Sequence, residues 1–171
     1  MVWNILNGLR DYKCLGVYIM PNMDWKYLSG LSKQKFGAYG EYFAKMEFSS
    51  YGFDVYTSEV DDHGIDFVCI KDTKLFEIQV KSVQKGTGYV FTKEKYFNID
   101  NENLYLCLLI FEQGKLPDIF LIPAFAWKEV NELLKYRLYK EPEFGINISN
   151  KNMTLLNKYK FDDMMKKVSG I

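Results

Sequence analysis

Apolar residues recur at helical spacing in one stretch of the chain and alternate in several others, and the change of period divides the chain into elements. Phe36, Tyr39, Phe43 and Met46 form one stripe, Ser32 stands where an N-cap would and Gly52 follows, so a helix is expected from about Lys33 to Ser50. On that helix Gly37, Glu41, Ala44 and Phe48 fall on one side, which would turn the Glu41 carboxylate towards the protein. Glu41 and Lys45 are also an acid-to-base pair one helical turn apart, an ordinary surface ion pair if that face is wet. Spacing alone leaves both readings of Glu41 open.

Phe53–Thr57 alternates as an edge or second strand, and an acidic loop from Glu59 to Gly64 follows it. Two runs of β-formers, Ile65–Ile70 and Leu75–Ser82, then flank the polar connection Lys71-Asp72-Thr73-Lys74, the pattern of a β-hairpin. In the second run Phe76, Ile78 and Val80 share one face, while Glu77, Gln79 and Lys81 share the other. An acid, an amide and an ammonium in line, opposite a hairpin partner that opens with Asp66, suit a cation and phosphate site. Ordinary structure accounts for them too, with Glu77 and Lys81 as half-exposed cross-strand partners and Asp66 capping a turn. Asp61, Asp62, His63 and Asp66 resemble a metal cluster, although clustered Asp and Gly before a strand are also common turn chemistry.

Further on, Gly86 and Gly88 mark a plain turn and Tyr89–Thr92 a short strand. The apolar runs Leu104–Phe111 and Asp118–Pro123, linked by Gln113-Gly114-Lys115, are expected as buried strands at the sheet centre and beside it. Ala124–Leu138 is expected as a helix turning Phe125, Val130, Leu133 and Leu134 inward, followed by a Phe144–Ile148 strand and helical turns around Asn152–Tyr159 and Phe161–Val168. Leu15–Met20 fits a short strand or a buried helical turn. Residues 1–31 are expected as an N-terminal extension packing on a single domain of residues 32–171. The element order predicts an α/β fold with a mixed central β-sheet flanked by helices.

Composition narrows the partners. At 171 residues, with 48% hydrophobic and 17% aromatic content, one well-buried core is expected. The 22 Lys and Arg balance 22 Asp and Glu, so no global basic field exists and any nucleic-acid contact must come from a local patch. Arg10 and Arg137 are the only arginines, which favours phosphate contact over readout of base edges. Cys14, Cys69 and Cys107 are odd in number and far apart, which argues against a disulfide framework or a zinc set. With no apolar run of membrane length and a polar amino terminus, a soluble cytoplasmic protein is expected.

The helix segment GAYGEYFAK, the strand start GIDF and the strand FEIQVKS together resemble the PD-(D/E)xK restriction-endonuclease-like superfamily, notably Mrr-like members with a QxK variant of the signature. The resemblance covers about Lys33 to Ser82 and implies a restriction-endonuclease-like core with a metal-dependent nuclease site. Asp66 matches the strand-start aspartate that ligates Mg²⁺, Gln79 takes the position usually held by Asp or Glu, and Lys81 matches the lysine. Glu41 resembles the helix glutamate of several branches, including archaeal-type Holliday-junction resolvases. Gln79 offers only a neutral oxygen, and Glu77, one pleat earlier on the same face, is the alternative ligand. Mg²⁺, with Mn²⁺ as a substitute, is thus the implied cofactor and DNA the implied partner, with a homodimer as one possible assembly.

Three functions follow. An active Mg²⁺-dependent DNA endonuclease of restriction, defence or repair type requires Asp66, Gln79 or Glu77, and Lys81 to converge at an exposed edge of the sheet. An inactive nuclease-fold module would bind nucleic acid or a protein partner without cleavage. An unrelated α/β interaction domain would leave these residues apart.

Overall fold

A computed structural model describes Leu28, residues 30–57 and residues 64–169. The Leu15–Met20 run, nearly all of the expected extension and the Asp61, Asp62 and His63 loop lie outside the described residues. The first helix, α1, spans Lys33–Ser50, with the Ser32 hydroxyl accepting the Lys35 N–H at 3.3 Å and Gly52 turning the chain at φ +78°. Its buried side is Gly40, Phe43, Ala44 and Phe48. Met46 has drifted off this stripe and is 60% exposed, contrary to the expected inward set.

The central sheet has five strands in the order β1 (Asp54–Tyr56), β2 (Phe67–Lys71), β3 (Lys74–Gln84), β5 (Leu104–Phe111) and β6 (Asp118–Pro123). β2 and β3 form the expected hairpin, closed between Lys71 and Lys74 by Asp72 and Thr73 at φ 47° and 72°. Positive φ at both central residues gives a turn whose twist matches the flanking strands. β3 pairs in parallel with β5, from Glu77↔Leu104 to Gln84↔Phe111, and β5 pairs antiparallel with β6. The sheet is therefore mixed. β5 is buried along its whole length, as an uninterrupted apolar run in a central strand requires.

One face of the sheet presents Phe76, Ile78, Val80, Cys107 and Leu109 to α1 and to the C-terminal helix α3 (Phe161–Ser169), preceded by the short helix α2 (Met153–Leu156). α1 comes so close to β3 that a Cβ on Gly40 would lie 1.7 Å from Ser82 Oγ. The other face is covered by a second sheet of three strands, β4 (Tyr89–Lys93), β8 (Glu143–Asn147) and β7 (Leu134–Arg137), in that order. Leu106, Leu108 and Ile122 meet Leu134, Phe144 and Ile146 between the layers, with Trp127 beside them.

The expected Ala124–Leu138 helix is replaced by a 3₁₀ turn at Ala124–Lys128 and the strand β7. Asn131 Oδ1 accepts the N–H groups of Leu133 and Leu134, and a side chain that caps its own following backbone stops a helix there. Leu133 and Leu134 are buried as expected, whereas Phe125 and Val130 are exposed. Cys69 and Cys107 are buried free thiols, and burial pushes Cys69 up to about 12. Among the described residues no helix is long and apolar enough to cross a membrane.

Candidate functional site

The pairing of β2 with β3 stops at Phe67↔Ile78, while β3 runs on to Gln84 against β5. Beyond that last pair Asp66 takes over from the ladder. Its N–H donates to the Ile78 carbonyl at 2.9 Å, and its Oδ2 accepts the Val80 N–H at 2.5 Å. A side-chain carboxylate thus satisfies a strand donor that would otherwise be an orphan, and it fixes Asp66 at the point where the two strands part. The Asp66 carboxylate is also felt by the thiol of Cys107, which is pushed upward first by burial and then by that charge.

One residue further along β3 than Ile78, Gln79 is almost fully buried, at 4% exposure. Its Nε2 donates to the Gly64 carbonyl at 2.7 Å, and its Oε1 has no hydrogen-bond partner among the described residues. Turning the amide over would set two oxygens against each other, so the Gly64 carbonyl decides which end is which. Gly64 itself has φ +72°, and a Cβ there would lie 2.8 Å from Tyr96 Cβ and 2.9 Å from Gln79 Nε2. Only glycine fits both the conformation and the space.

Asp66, Gln79 and Lys81 line one open cleft of about 660 Å³, closed on its other side by Phe91, Thr92 and Lys93 of β4 and by Tyr96. Two smaller cavities, of about 260 and 190 Å³, lie away from this cluster. Lys81 is half-buried and points from the same strand face as Gln79, as the alternation requires.

Glu77 and Glu41 are not brought into this cleft. Glu77 is half-buried, and its Oε2 accepts from Asn101 Nδ2 at 2.6 Å, so its carboxylate is engaged with the loop before β5. Glu41 is half-buried on α1 and has no hydrogen bond or ion pair among the described residues. The surface pair with Lys45 is absent too. Lys45 Nζ lies over the rings of Tyr42 and Phe67 instead, 5.5 and 5.8 Å from their centroids.

Mg²⁺ takes oxygen ligands, keeps several waters and is commonly held by one or two carboxylates together with substrate phosphates. Asp66 and the amide oxygen of Gln79, buried and without a partner among the described residues, are oxygen donors of the kind such a site uses. No set of three His, Cys, Asp or Glu side chains comes together among the described residues. What sequence reasoning missed is the opposite wall: Phe91, Lys93 and Tyr96 come from an expected strand and the connection after it. Their relevance follows from a second sheet that periodicity does not reveal.

No family model matches the chain, and no curated protein matches it. Solved structures do share its fold. The Holliday junction resolvase Hjc from Archaeoglobus fulgidus superposes with a TM-score of 0.51 at 13% identity, over 78% of this chain and 95% of its own. The bacterial homing endonuclease I-Ssp6803I superposes with a TM-score of 0.53 at 15% identity, over 82% of this chain and 94% of its own. At that identity the likeness concerns the fold, which is the restriction-endonuclease-like α/β core expected from the sequence.

Proposed function

We propose that this chain is a Mg²⁺-dependent DNA endonuclease, with Mn²⁺ able to substitute, whose reaction is centred on Asp66, Gln79 and Lys81. The observation that carries the proposal is the buried Gln79 Oε1, which has no hydrogen-bond partner among the described residues, beside Asp66 in a cleft that also holds a lysine. A buried acceptor left unmet costs about 1–3 kcal/mol, a penalty that a cation ligated there removes. The fold shared with a resolvase and a homing endonuclease supports the same reading.

When bound, Mg²⁺ supplies a Lewis acid for the scissile phosphate and lowers the pKa of water. The chain does the rest. Asp66 contributes its carboxylate at the point where Oδ2 holds the Val80 N–H, and Gln79 contributes its amide oxygen while Nε2 remains on Gly64. Lys81 carries the positive charge that orients the attacking water or meets the charge developing on phosphate. Glu41 and Glu77 do not line the cleft and stand outside this set.

One observation favours a second reading, a nuclease fold that binds without cutting. Asp66 is the one carboxylate lining the described cleft, a sparse donor set for a hard cation. Plasmid nicking separates the two. The endonuclease nicks supercoiled DNA with Mg²⁺, stops with EDTA, and loses at least about 100-fold in rate in Lys81→Ala. Full cleavage by Lys81→Ala would overturn the assigned chemistry, and salt-sensitive binding with no metal-stimulated cleavage would establish the second reading.

A further inference from the structure

The outer face of the second sheet carries a group of side chains that the cleavage chemistry leaves unused. The inner face of that sheet buries Leu134, Phe144 and Ile146, with Val90 partly buried beside them. Strand alternation puts Tyr89, Phe91 and Lys93 of β4 and Lys135 and Arg137 of β7 on the other side, about the central strand β8. In the middle stands Gly145, paired with Phe91 and Lys135. Its bare backbone is covered by the ring of Tyr89, since a Cβ there would lie 1.9 Å from Tyr89 Oη.

Tyr89 is held rigidly. Its hydroxyl donates to Glu143 Oε1 at 3.0 Å, and the Arg137 guanidinium lies over its ring, 4.0 Å from the centroid. Arg137 is one of two arginines in the chain, and it has no carboxylate partner among the described residues; its Nη1 donates only to Tyr139 Oη, at 3.3 Å. Most of its donors are therefore unspent. Phe91 lies nearly parallel to Tyr89, with an interplanar angle of 24° and centroids 6.3 Å apart, yet 46% of it is exposed. Phe91 and Lys93 also line the cleft that holds Asp66, Gln79 and Lys81. The platform and the cleft are continuous.

We propose that this face binds a single-stranded segment of DNA and leads it into the cleft, with an unpaired base stacking on Phe91 and phosphates meeting Arg137 and Lys135. The chemistry selects this occupant. Rings presented flat on a sheet beside cations bind bases whose faces are open, and stacking of this kind is indifferent to sequence. A continuous duplex keeps its base faces inside the stack and offers only phosphates. Neutral net charge makes a local platform, rather than a general field, the means of capture. Glu141 tempers the site, since it pairs with Lys93 at 2.5 Å and Lys95 at 3.2 Å, and Glu143 stands opposite Arg137 in the ladder, so Arg137 and Lys135 are cations of the face that form no salt bridge among the described residues. The proposal extends the reading of the cleft as a DNA-cutting site, with substrates that have a flap, gap or frayed end next to the bond to be cut.

The test is fluorescence anisotropy in EDTA, with the full chain and a labelled oligothymidylate set against a hairpin duplex of equal length. Binding without metal separates this proposal from the nuclease reading, which stands or falls on cleavage. The single strand is expected to bind tighter than the duplex, Phe91→Ala to weaken it about tenfold or more, and Phe91→Trp to retain it. Arg137→Ala is expected to weaken binding and flatten its salt dependence. Equal affinity for strand and duplex, or Phe91→Ala binding like the parent protein with an unchanged melting temperature, would overturn the proposal.

Discussion

Gln79 donates its amide N–H to the carbonyl of Gly64 at 2.7 Å, and that bond leaves the amide oxygen buried with no partner among the described residues. The geometry makes Gly64 a positioning element for Gln79, because the backbone at φ +72° is what turns its carbonyl to the amide. An amide oxygen held in this way would make a neutral ligand, weak by itself and fixed in direction.

Gln79→Glu tests the arrangement. The new carboxylate faces the Gly64 carbonyl with an acceptor where a donor stood, so the metal-free variant is expected to lose roughly 1–3 kcal/mol of stability. Mg²⁺ is expected to raise its melting temperature more than that of the parent chain, since an anionic ligand strengthens binding to the native state. Thermal melts of both proteins with and without Mg²⁺ decide it. A variant that melts lower and ignores Mg²⁺ would count against a metal at this position.

The Val80 bond of Asp66 and its proposed metal-binding role can be separated by substitution. Asp66→Asn keeps an oxygen for the Val80 N–H, so it is expected to melt like the parent chain while losing Mg²⁺-dependent stabilisation and cleavage. Asp66→Ala also leaves that N–H without its acceptor and is expected to cost a further 1–2 kcal/mol or so in chemical denaturation. Asn and Ala variants of identical stability would show that the Val80 bond contributes nothing.

Much of this geometry was legible from the strand period. Asp66, Gln79 and Lys81 follow from alternation on a hairpin whose polar turn is plain in Lys71-Asp72-Thr73-Lys74, and the helix limits follow from Ser32 and Gly52. Glu77 shares their strand face by the same alternation, but what engages it is Asn101, from a loop with no periodic signal. Ala124–Leu138 carries helix-forming residues throughout, so composition favoured a helix, while the outcome turned on one Asn131 side chain and on Leu134 joining the second core. Tertiary demand overrides propensity in such a segment.

Gly40 should behave unlike most helical glycines. Gly→Ala in a helix interior ordinarily stabilises by about 1 kcal/mol. Here the added Cβ meets Ser82 Oγ and Cβ, at 1.7 and 2.9 Å, and Ser82 Oγ is already buried without a partner among the described residues. Gly40→Ala is therefore expected to destabilise by about 1–3 kcal/mol, and Ser82→Gly in the same chain to recover part of the loss. A double variant no more stable than Gly40→Ala alone would place the strain elsewhere.

Alkaline pH should weaken the fold through two tyrosines. Tyr51 donates to Asp162 Oδ1 at 2.6 Å, and that bond, followed by burial, pushes it up to about 12. Burial first, and then the bond to Glu143, pushes Tyr89 up to about 12 as well. In the unfolded chain both ionise near ~10, so as pH rises the unfolded state loses protons first. Stability is untouched by these groups below about 10 and falls from there towards about 12. Denaturation series at pH ~9 and ~11 are expected to show that fall, with Tyr51→Phe and Tyr89→Phe each making it shallower. Unchanged slopes in both variants would contradict the assignment.

The hairpin of β2 and β3 also bears on how the molecule reaches its native state. Gly64, Asp66 and Gln79 lie within or beside one hairpin closed by a two-residue turn, and such units form in about 1–10 μs. The parallel pairing of β3 with β5 joins segments separated by the whole of β4 and its flanking turns, and contacts of that separation close late. A lone two-stranded hairpin is marginal in water, so the arrangement of Asp66 and Gln79 forms early and transiently and persists only once β5 has docked. Defects in β5 therefore change how many molecules complete the site and how quickly, and leave its chemistry in the completed molecules as it was.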